Sequence, residues 1–187
     1  MQIYAVRLAP DKSEQESVAD LDLAELFQQH YARIYNYLRY RVDSVDDAED
    51  LAGTIFERAF KNRKQFDAGR GTFSTWLFRI AHNELVSHYR KRKSRSAWES
   101  DTAPPADLVI SESSPEAKVI HQETLIQLLH ELARLSERDQ EIISLKFAGR
   151  LRNKEIGQIM DMKEKTVSVV LLRAVRRLRL QLEEEAA

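Results

Sequence analysis

The chain has 187 residues, of which 32% are charged and 43% apolar, and its formal net charge is −1. This composition is typical of a folded protein of one or two domains and excludes a disordered chain. The chain has no cysteine, which excludes disulfides and thiolate chemistry, and no apolar run approaches the ~20 residues of a membrane span. The first residues lack the pattern of a signal peptide, so we expect a cytoplasmic protein without membrane insertion. Because glycine and proline are scarce, we expect an all-α fold.

The charges are segregated along the chain, although they nearly cancel overall. Residues 43–57 carry a net charge of −6, whereas residues 58–95 carry +9. Residues 99–117 contain five acidic and no basic residues, and residues 146–180 carry +7. Two basic blocks separated by acidic ones predict two surfaces that bind a polyanion such as nucleic acid.

Residues 1–20 are polar and weakly patterned, and we interpret them as an N-terminal arm. A first helix is expected to start near Asp20 or Asp22, where an acidic side chain caps a helix or complements its dipole. This helix should end before Ser44. Its apolar stripe consists of Leu23, Leu26, Phe27, Tyr31, Ile34, Tyr35 and Leu38.

A second helix follows, with Ser44 as its predicted cap. Asp46 and Asp47 fall in its first turn, where the helix dipole favours negative charge. Helix-start electrostatics explains these two acids well, but it explains Glu49 and Asp50 less well, and an acidic surface can also dock a basic protein partner. The predicted buried face consists of Ala48, Leu51, Ala52, Ile55, Phe56 and Ala59.

The segment from Phe66 to Arg95 combines a glycine-flanked turn, an amphipathic helical pattern and a basic run. It opens with a turn flanked by Gly69 and Gly71, and it ends in a basic run at 90–95. Such a segment can bind opened or single-stranded nucleic acid, because its cationic side chains pair with phosphates and its aromatic rings stack on unpaired bases. A core helix with a solvated basic end fits the same stretch, so this pattern alone leaves both interpretations open. The apolar residues of the helical pattern are Phe73, Trp76, Leu77, Ile80, Ala81 and Leu85.

Residues 96–117 are rich in serine, proline and acidic residues. Pro104, Pro105 and Pro115 prevent a long helix there, so we interpret the segment as a linker between two small helical domains. The predicted organisation is an arm at 1–20, a first domain at 21–95, this linker, and a second domain at 118–187.

Helical periodicity resumes after the linker. A cap at Ser136, with Asp139 three residues later, predicts the start of a helix that Gly149 ends. A short helix at 153–160, a three-residue turn and a longer basic helix at 164–184 have the layout of a helix-turn-helix, which inserts its second helix into the major groove of DNA. Predicted core residues of these helices, and of an amphipathic helix predicted before Ser136, are Leu128, Leu129, Leu132, Leu135, Ile142, Ile143, Leu145, Phe147, Ile156, Ile159, Met160, Val167, Leu171, Ala174 and Leu178.

Three stretches resemble the extracytoplasmic-function (ECF) sigma factors of bacterial RNA polymerase. They are DDAEDLAGTIFERAF at 46–60, FDAGRGTFSTWLFRIAHN at 66–83 and RNKEIGQIMDMKEKTVSVVLLRAVRRLR at 152–179. Their order and spacing match as well as their content, over residues 20–182. The resemblance implies a subunit that binds the polymerase core, recognises the -10 and -35 promoter elements and assists DNA opening.

The resemblance also implies a role for each set of residues. Contacts to the beta and beta-prime subunits of core polymerase fall on Asp47, Glu49, Asp50, Leu51 and Ile55. Contacts to the -10 element fall on Arg63, Lys64, Arg70, Phe73, Ser74, Thr75, Arg79, Asn83, Arg90, Lys91 and Arg92, with a flipped base received by the loop at 67–72. Contacts to the -35 element fall on Lys165, Thr166, Ser168, Val169, Arg173, Arg176 and Arg177.

The chain departs from the family pattern at a few positions. Gly53 replaces a usual glutamine within a helix, Asp161 replaces a glycine in the turn of the helix-turn-helix, and Lys163 replaces a serine cap. Val169 and Leu172 stand where polar residues are usual, so they contact thymine methyl groups or mark a surface for a protein partner.

Other chemistries find little support in the sequence. His82 and His88 are spaced wrongly for a shared metal, the Gly69-x-Gly71 pattern lacks a nucleotide-loop continuation, and no catalytic arrangement stands out. We therefore expect no enzyme activity, no cofactor and no metal. The spacing of Trp76 favours core packing over a wedge against DNA. The family resemblance adds an expected anti-sigma factor as partner. The alternatives are a stand-alone helix-turn-helix regulator and a sigma-like interaction protein without -35 recognition.

Overall fold

The computed structural model describes residues 23–42, 44–96 and 127–185, and these are all helix, turn or short connection. The N-terminal group contains α1 (Leu23–Arg39), α2 (Val45–Asn62) and α3 (Phe73–Ser96). The C-terminal group contains the helical residues 127–133 (α4), α5 (Glu137–Phe147), α6 (Asn153–Met160) and α7 (Glu164–Glu185). The predicted all-α class is confirmed for the described residues. The expected arm and the linker lie almost wholly outside them, as do the predicted caps Asp20 and Asp22.

Helix starts in the structure follow local side-chain chemistry. Ser44 caps α2 by accepting a hydrogen bond from the Asp47 N–H at 3.3 Å, and Ser136 caps α5 by accepting from the Asp139 N–H at 3.2 Å. Both caps were predicted. The carboxylate of Asp139 does not return to the cap, because it accepts a hydrogen bond from Arg177 instead. The six residues predicted for the buried face of α2 are all buried.

Two large apolar residues predicted as core are exposed. Phe27 is 41% exposed, because it lies at the edge of the α1 stripe and covers only part of its ring by stacking on Tyr31. Phe147, the last residue of α5, is 57% exposed, whereas Ala148 and Leu151 just after it belong to the core. The remaining predicted core positions of α5 are buried.

The turn between α6 and α7 is tight. Asp161 adopts the left-handed conformation, with φ 53° and ψ 48°, and the Met162 N–H donates to the Gly157 carbonyl at 2.8 Å. A Cβ at position 157 would lie 2.5 Å from the Met162 carbonyl oxygen, so this position requires glycine. Asp161 therefore adopts, without being a glycine, the conformation for which the family usually has a glycine at this turn.

The two helix groups are packed against each other. α1 packs on α2, α2 on α3, and α6 on α7, while α3 also contacts α6 of the other group. One apolar core runs through both groups and joins Ile34 and Phe78 to Leu145 and Ile156. A second, smaller core holds α4, α5 and α7 together through Leu132, Ile143, Ala174 and their neighbours.

Candidate nucleic-acid interface

A loop of two short 3-10 turns, Arg63–Gln65 and Ala68–Arg70, leads into α3. The Asp67 carboxylate accepts a hydrogen bond from the Gly69 N–H at 2.9 Å, which orders the second turn. Gly71 has φ 151°, a value that strains any residue with a side chain. The Thr72 hydroxyl then caps α3 by accepting from the Thr75 N–H at 3.2 Å. The loop therefore has a fixed shape and a fixed exit into the helix.

This loop and the first turns of α3 enclose a cavity of about 230 Å³. Its volume is several times the ~30 Å³ that one water molecule occupies in the liquid. The cavity is lined by Gln65, Phe66, Asp67, Arg70, Gly71, Thr72, Thr75, Trp76 and Arg79. It therefore combines two aromatic rings and hydrogen-bonding side chains, which can bind a base, with two arginines, which can pair with a phosphate.

The cavity includes residues that the sequence interpretation missed. Gln65, Phe66 and Trp76 were not predicted as contacts, although an aromatic or polar residue on each side of a glycine turn was the available signal. Trp76 packs against Phe66, with ring centroids 5.8 Å apart, and against Phe73, at 5.4 Å. Its predicted packing role is confirmed, and its remaining surface lines the cavity.

Not every residue predicted for the -10 contact is accessible. Phe73 and Ser74 are buried; Phe73 belongs to the core, and the Ser74 hydroxyl accepts a hydrogen bond from Arg33 at 2.9 Å. These two residues support the site from behind. Thr75 is also buried but reaches the cavity wall. Exposed or half-exposed positions are held by Arg63, Lys64, Arg70, Arg79, Asn83, Arg90, Lys91 and Arg92.

Arg63 is held in place by an aromatic ring. Its guanidinium lies 4.3 Å from the centre of the Phe60 ring and also donates to the Phe60 carbonyl at 3.1 Å. A cation–π contact leaves the outward edge of the guanidinium available for a phosphate.

The predicted core-polymerase residues on α2 divide into two sets. Glu49 and Asp50 are exposed and Asp47 is half-buried, so these carboxylates form an acidic surface. Leu51 is buried at the edge of the core, and Ile55 is fully buried. The prediction of a direct contact is therefore corrected for Ile55, which holds α2 on the core and presents no surface to a partner.

The predicted -35 face lies along α7. Its exposed polar and basic residues are Lys165, Thr166, Ser168, Arg173 and Arg176. The apolar residues Val169 (48% exposed) and Leu172 (54% exposed) lie on the surface as well. Ser168 accepts a hydrogen bond from Asn153 at 2.9 Å, which ties the start of α7 to α6. Arg177 donates to the Asp139 carboxylate at 3.2 Å and thereby joins α7 to α5. The Arg177 side chain is still 56% exposed, so its contact with the -35 element stays a prediction.

Among the described residues, no group of histidine, cysteine, aspartate or glutamate side chains is arranged to hold a metal ion. None of the helices in residues 23–96 or 127–185 combines the length and apolar character of a membrane span.

The family described as Sigma-70 region 2 matches residues 26–95, and Sigma-70, region 4 matches residues 125–178. The ECF RNA polymerase sigma factor BldN of Streptomyces coelicolor is 32% identical over 161 residues, which cover 86% of this chain and 60% of BldN. The chain therefore spans about three fifths of the length of BldN. The ECF RNA polymerase sigma factor SigW of Bacillus subtilis is 29% identical over 179 residues and 92% of each chain.

Solved structures give the same fold. The sigma factor RpoE of Bartonella quintana, in complex with the anti-sigma factor NepR, superposes with a TM-score of 0.68 at 22% identity, covering 85% of this chain and 97% of that one. CnrH, in complex with the cytosolic domain of CnrY, gives 0.65 at 19% identity, covering 90% and 93%. From the two sigma-70 regions in this order and the ECF relatives that match most of its length, we conclude that the chain belongs to the ECF sigma factors of the sigma-70 family.

Proposed function

We propose that this sigma factor directs transcription initiation by carrying core RNA polymerase to promoters, where it captures the opened -10 strand and reads the -35 element. The acidic residues Glu49 and Asp50 on α2 dock on core polymerase, the cavity between the loop and α3 receives a base, and α7 enters the distal element. The protein acts by binding and has no catalytic role.

The cavity at the start of α3 is the observation that carries this proposal. Extruding a base from a duplex costs a few kcal/mol, so a protein that opens DNA must provide a binding site for the base. The cavity offers the rings of Phe66 and Trp76 together with Arg70 and Arg79, and it lies within the Sigma-70 region 2 match. A stand-alone helix-turn-helix regulator would have no use for such a cavity.

The proposal is tested by run-off transcription with purified core polymerase on a promoter library. We expect the full chain to select a distinct set of start sites. Arg70→Ala should reduce open-complex formation at those sites by about tenfold, because one charged contact to the strand is lost. Lys61→Ala is the matched control, since Lys61 pairs with Glu57 on α2 and lies outside the cavity. Absence of start-site selection would refute the proposed function.

Binding to core polymerase is tested separately. Replacing Glu49 and Asp50 with lysine reverses the exposed charge of α2 without changing its buried face. We expect this variant to lose core binding in co-sedimentation while its circular dichroism stays that of the wild-type chain. Full retention of binding would place the docking surface elsewhere.

We also propose an anti-sigma factor as a partner. The support is the family membership and the fold shared with RpoE, whose structure contains NepR. Affinity purification of the chain from its native cells should recover such a protein, and recovery of core polymerase alone would count against this part of the proposal.

A further inference from the structure

The outward face of α7 carries two aliphatic side chains, Val169 and Leu172, which we call the aliphatic pair. The opposite side of the helix is buried through Val167, Val170 and Ala174. Because an α-helix turns about 100° per residue, the pair points away from that buried side. Both residues are about half exposed, and neither belongs to the two apolar cores. Their apolar surface is therefore available to a ligand.

Positive charge lies at both ends of the aliphatic pair. Lys165 comes four residues before Val169, and Arg176 comes four residues after Leu172, so each cation lies one helical turn away on the same face. Arg173 is also one turn from Val169, and all three cations are exposed. Such a surface is complementary to the phosphates of DNA. The surrounding charge therefore favours duplex DNA as the occupant over an apolar groove of a protein partner.

The hydroxyl next to the aliphatic pair is already engaged. Ser168 donates to the Glu164 carbonyl at 3.0 Å and accepts from Asn153 at 2.9 Å, so its only proton is used within the helix-turn-helix. In a helix-turn-helix, the first half of the second helix contacts base edges in the major groove. At the level of the pair, α7 thus offers those edges an apolar contact. Thymine is the only one of the four bases that presents a methyl group there.

The spacing of the pair suits two thymines. Three residues of an α-helix rise by about 4.5 Å, which is close to the ~3.4 Å between neighbouring base pairs of a duplex. Val169 and Leu172 can therefore contact methyl groups on neighbouring base pairs.

We propose that Val169 and Leu172 are specificity-determining residues, which pack against the 5-methyl groups of thymines on two neighbouring A·T pairs of the distal promoter element. This inference rests on the proposed function, in which α7 enters that element. Burial of the methyl groups removes apolar surface of both molecules from water, which favours thymine over the other bases at these two positions. Because polar residues are usual at these positions in the family, the preference is a property of this chain.

The test uses the full chain bound to core polymerase and a promoter selected from the library by run-off transcription. Each thymine of the distal element is replaced singly by deoxyuridine, which lacks the 5-methyl group and keeps the base-pairing atoms. Affinity for the duplex is measured by fluorescence anisotropy. We expect affinity to fall by about 3- to 5-fold at thymines of two neighbouring pairs, the effect of one buried methyl-sized group, and to change little elsewhere. Absence of such a loss at every position would overturn the inference.

Variants of the aliphatic pair assign each methyl group to a side chain. Leu172→Gln keeps the length and helix propensity of the side chain but removes its apolar end. It should bind the thymine duplex about 3- to 5-fold more weakly and lose the response to deoxyuridine at one of the two positions. Val169→Ser should lose the response at the other position. Wild-type responses at both positions in both variants would contradict the proposed contacts, and recovery of a protein partner that only these variants fail to bind would then assign the pair to that partner.

Leu180→Gln is the matched control. Leu180 is an exposed leucine of the same helix, about two turns beyond Leu172, so its replacement should leave the affinity and both deoxyuridine responses unchanged. An equal loss in Leu180→Gln and Leu172→Gln would show a general effect on α7 and overturn the inference. Thermal unfolding followed by circular dichroism checks that the variants are folded.

Failure of this inference is distinguishable from failure of the proposed function. Start-site selection by the wild-type chain without any response to deoxyuridine would refute the role of the aliphatic pair and leave the proposed function standing. Absence of start-site selection would refute the proposed function itself, and this inference would fall with it.

Discussion

Gly53 stands on the exposed side of α2, in the middle of an otherwise strong helix. A Cβ built at this position meets nothing within 4 Å, so the glycine is not required for packing within the described chain. We predict that Gly53→Ala increases the free energy of unfolding by about 1 kcal/mol, the difference in helix propensity between the two residues. Urea denaturation followed by circular dichroism measures the change, and a lower midpoint would contradict the prediction.

Gly149 provides the opposite control for the same experiment. A Cβ there would lie 2.6 Å from the Leu145 carbonyl oxygen as well as 2.9 Å from the Phe78 ring. Gly149→Ala should therefore lower the free energy of unfolding, by about 1–3 kcal/mol as in other overpacked sites. The sequence predicted Gly149 only as a helix end, because its contact with α3 joins residues that are far apart in the chain.

Arg176 and Arg177 are neighbours in sequence with different surroundings. Arg177 pairs with Asp139 of α5, and Arg176 points outward from α7. We predict that Arg177→Ala lowers the free energy of unfolding by about 1 kcal/mol or less, because the pair is partly exposed. Arg176→Ala should leave stability unchanged and weaken binding to a 30-base-pair duplex, with a salt dependence smaller by about one charge. An equal loss of duplex affinity in both variants, with unchanged stability, would contradict this division.

At the scale of the helix, sequence reasoning worked where the determinants are local. Ser44 and Ser136 are caps because their hydroxyls reach a backbone N–H three residues ahead, which depends on nothing distant. It failed for Phe27 and Phe147, since apolar periodicity cannot say which residue at the edge or end of a stripe finds a neighbour. It also placed Ile55 in a contact set, because a motif identifies positions and does not report their burial.

The start of α6 is the element whose stability should depend on pH. Glu155 accepts hydrogen bonds from the Arg152 N–H at 2.7 Å and from its guanidinium at 2.9 Å. Burial opposes ionisation of Glu155, but these bonds and the Arg152 charge outweigh it and lower the pKa below the usual 4.5. The ionised carboxylate therefore stabilises the fold above pH 4.5, and this contribution is lost as the pH falls through the lowered pKa.

We predict that Glu155→Gln is destabilising at neutral pH and that its difference from the wild-type chain shrinks as the pH falls below 4.5. Urea denaturation at a series of pH values gives both curves. Glu57→Gln is the control, because Glu57 is a fully exposed carboxylate whose pKa is also lowered, by Lys61, but which caps no helix. A difference that is constant across the pH range would contradict the prediction.

At the scale of the whole molecule, the sequence predicted two helical domains but not how they meet. Glu141 looks like an ordinary surface acid of α5, and only the folded chain brings it to Tyr37, Arg41 and His82. Such a contact depends on complementarity between distant segments, which periodicity and caps do not encode. For the same reason, the charge pattern identified the basic segments of the chain. It could not show that the Arg79 guanidinium donates a hydrogen bond to a carbonyl of α6.

The shared core predicts how the chain unfolds. Because Ile34 and Phe78 pack in one cluster with Leu145 and Ile156, opening the contact between the helix groups exposes apolar surface from both. Differential scanning calorimetry of the wild-type chain should therefore show one cooperative transition for the described helices. In Glu141→Gln the polar centre of the contact is weakened, so the helix groups should uncouple and the transition should broaden or split. Two well-separated transitions already in the wild-type chain would mean that the helix groups fold independently and would contradict the prediction.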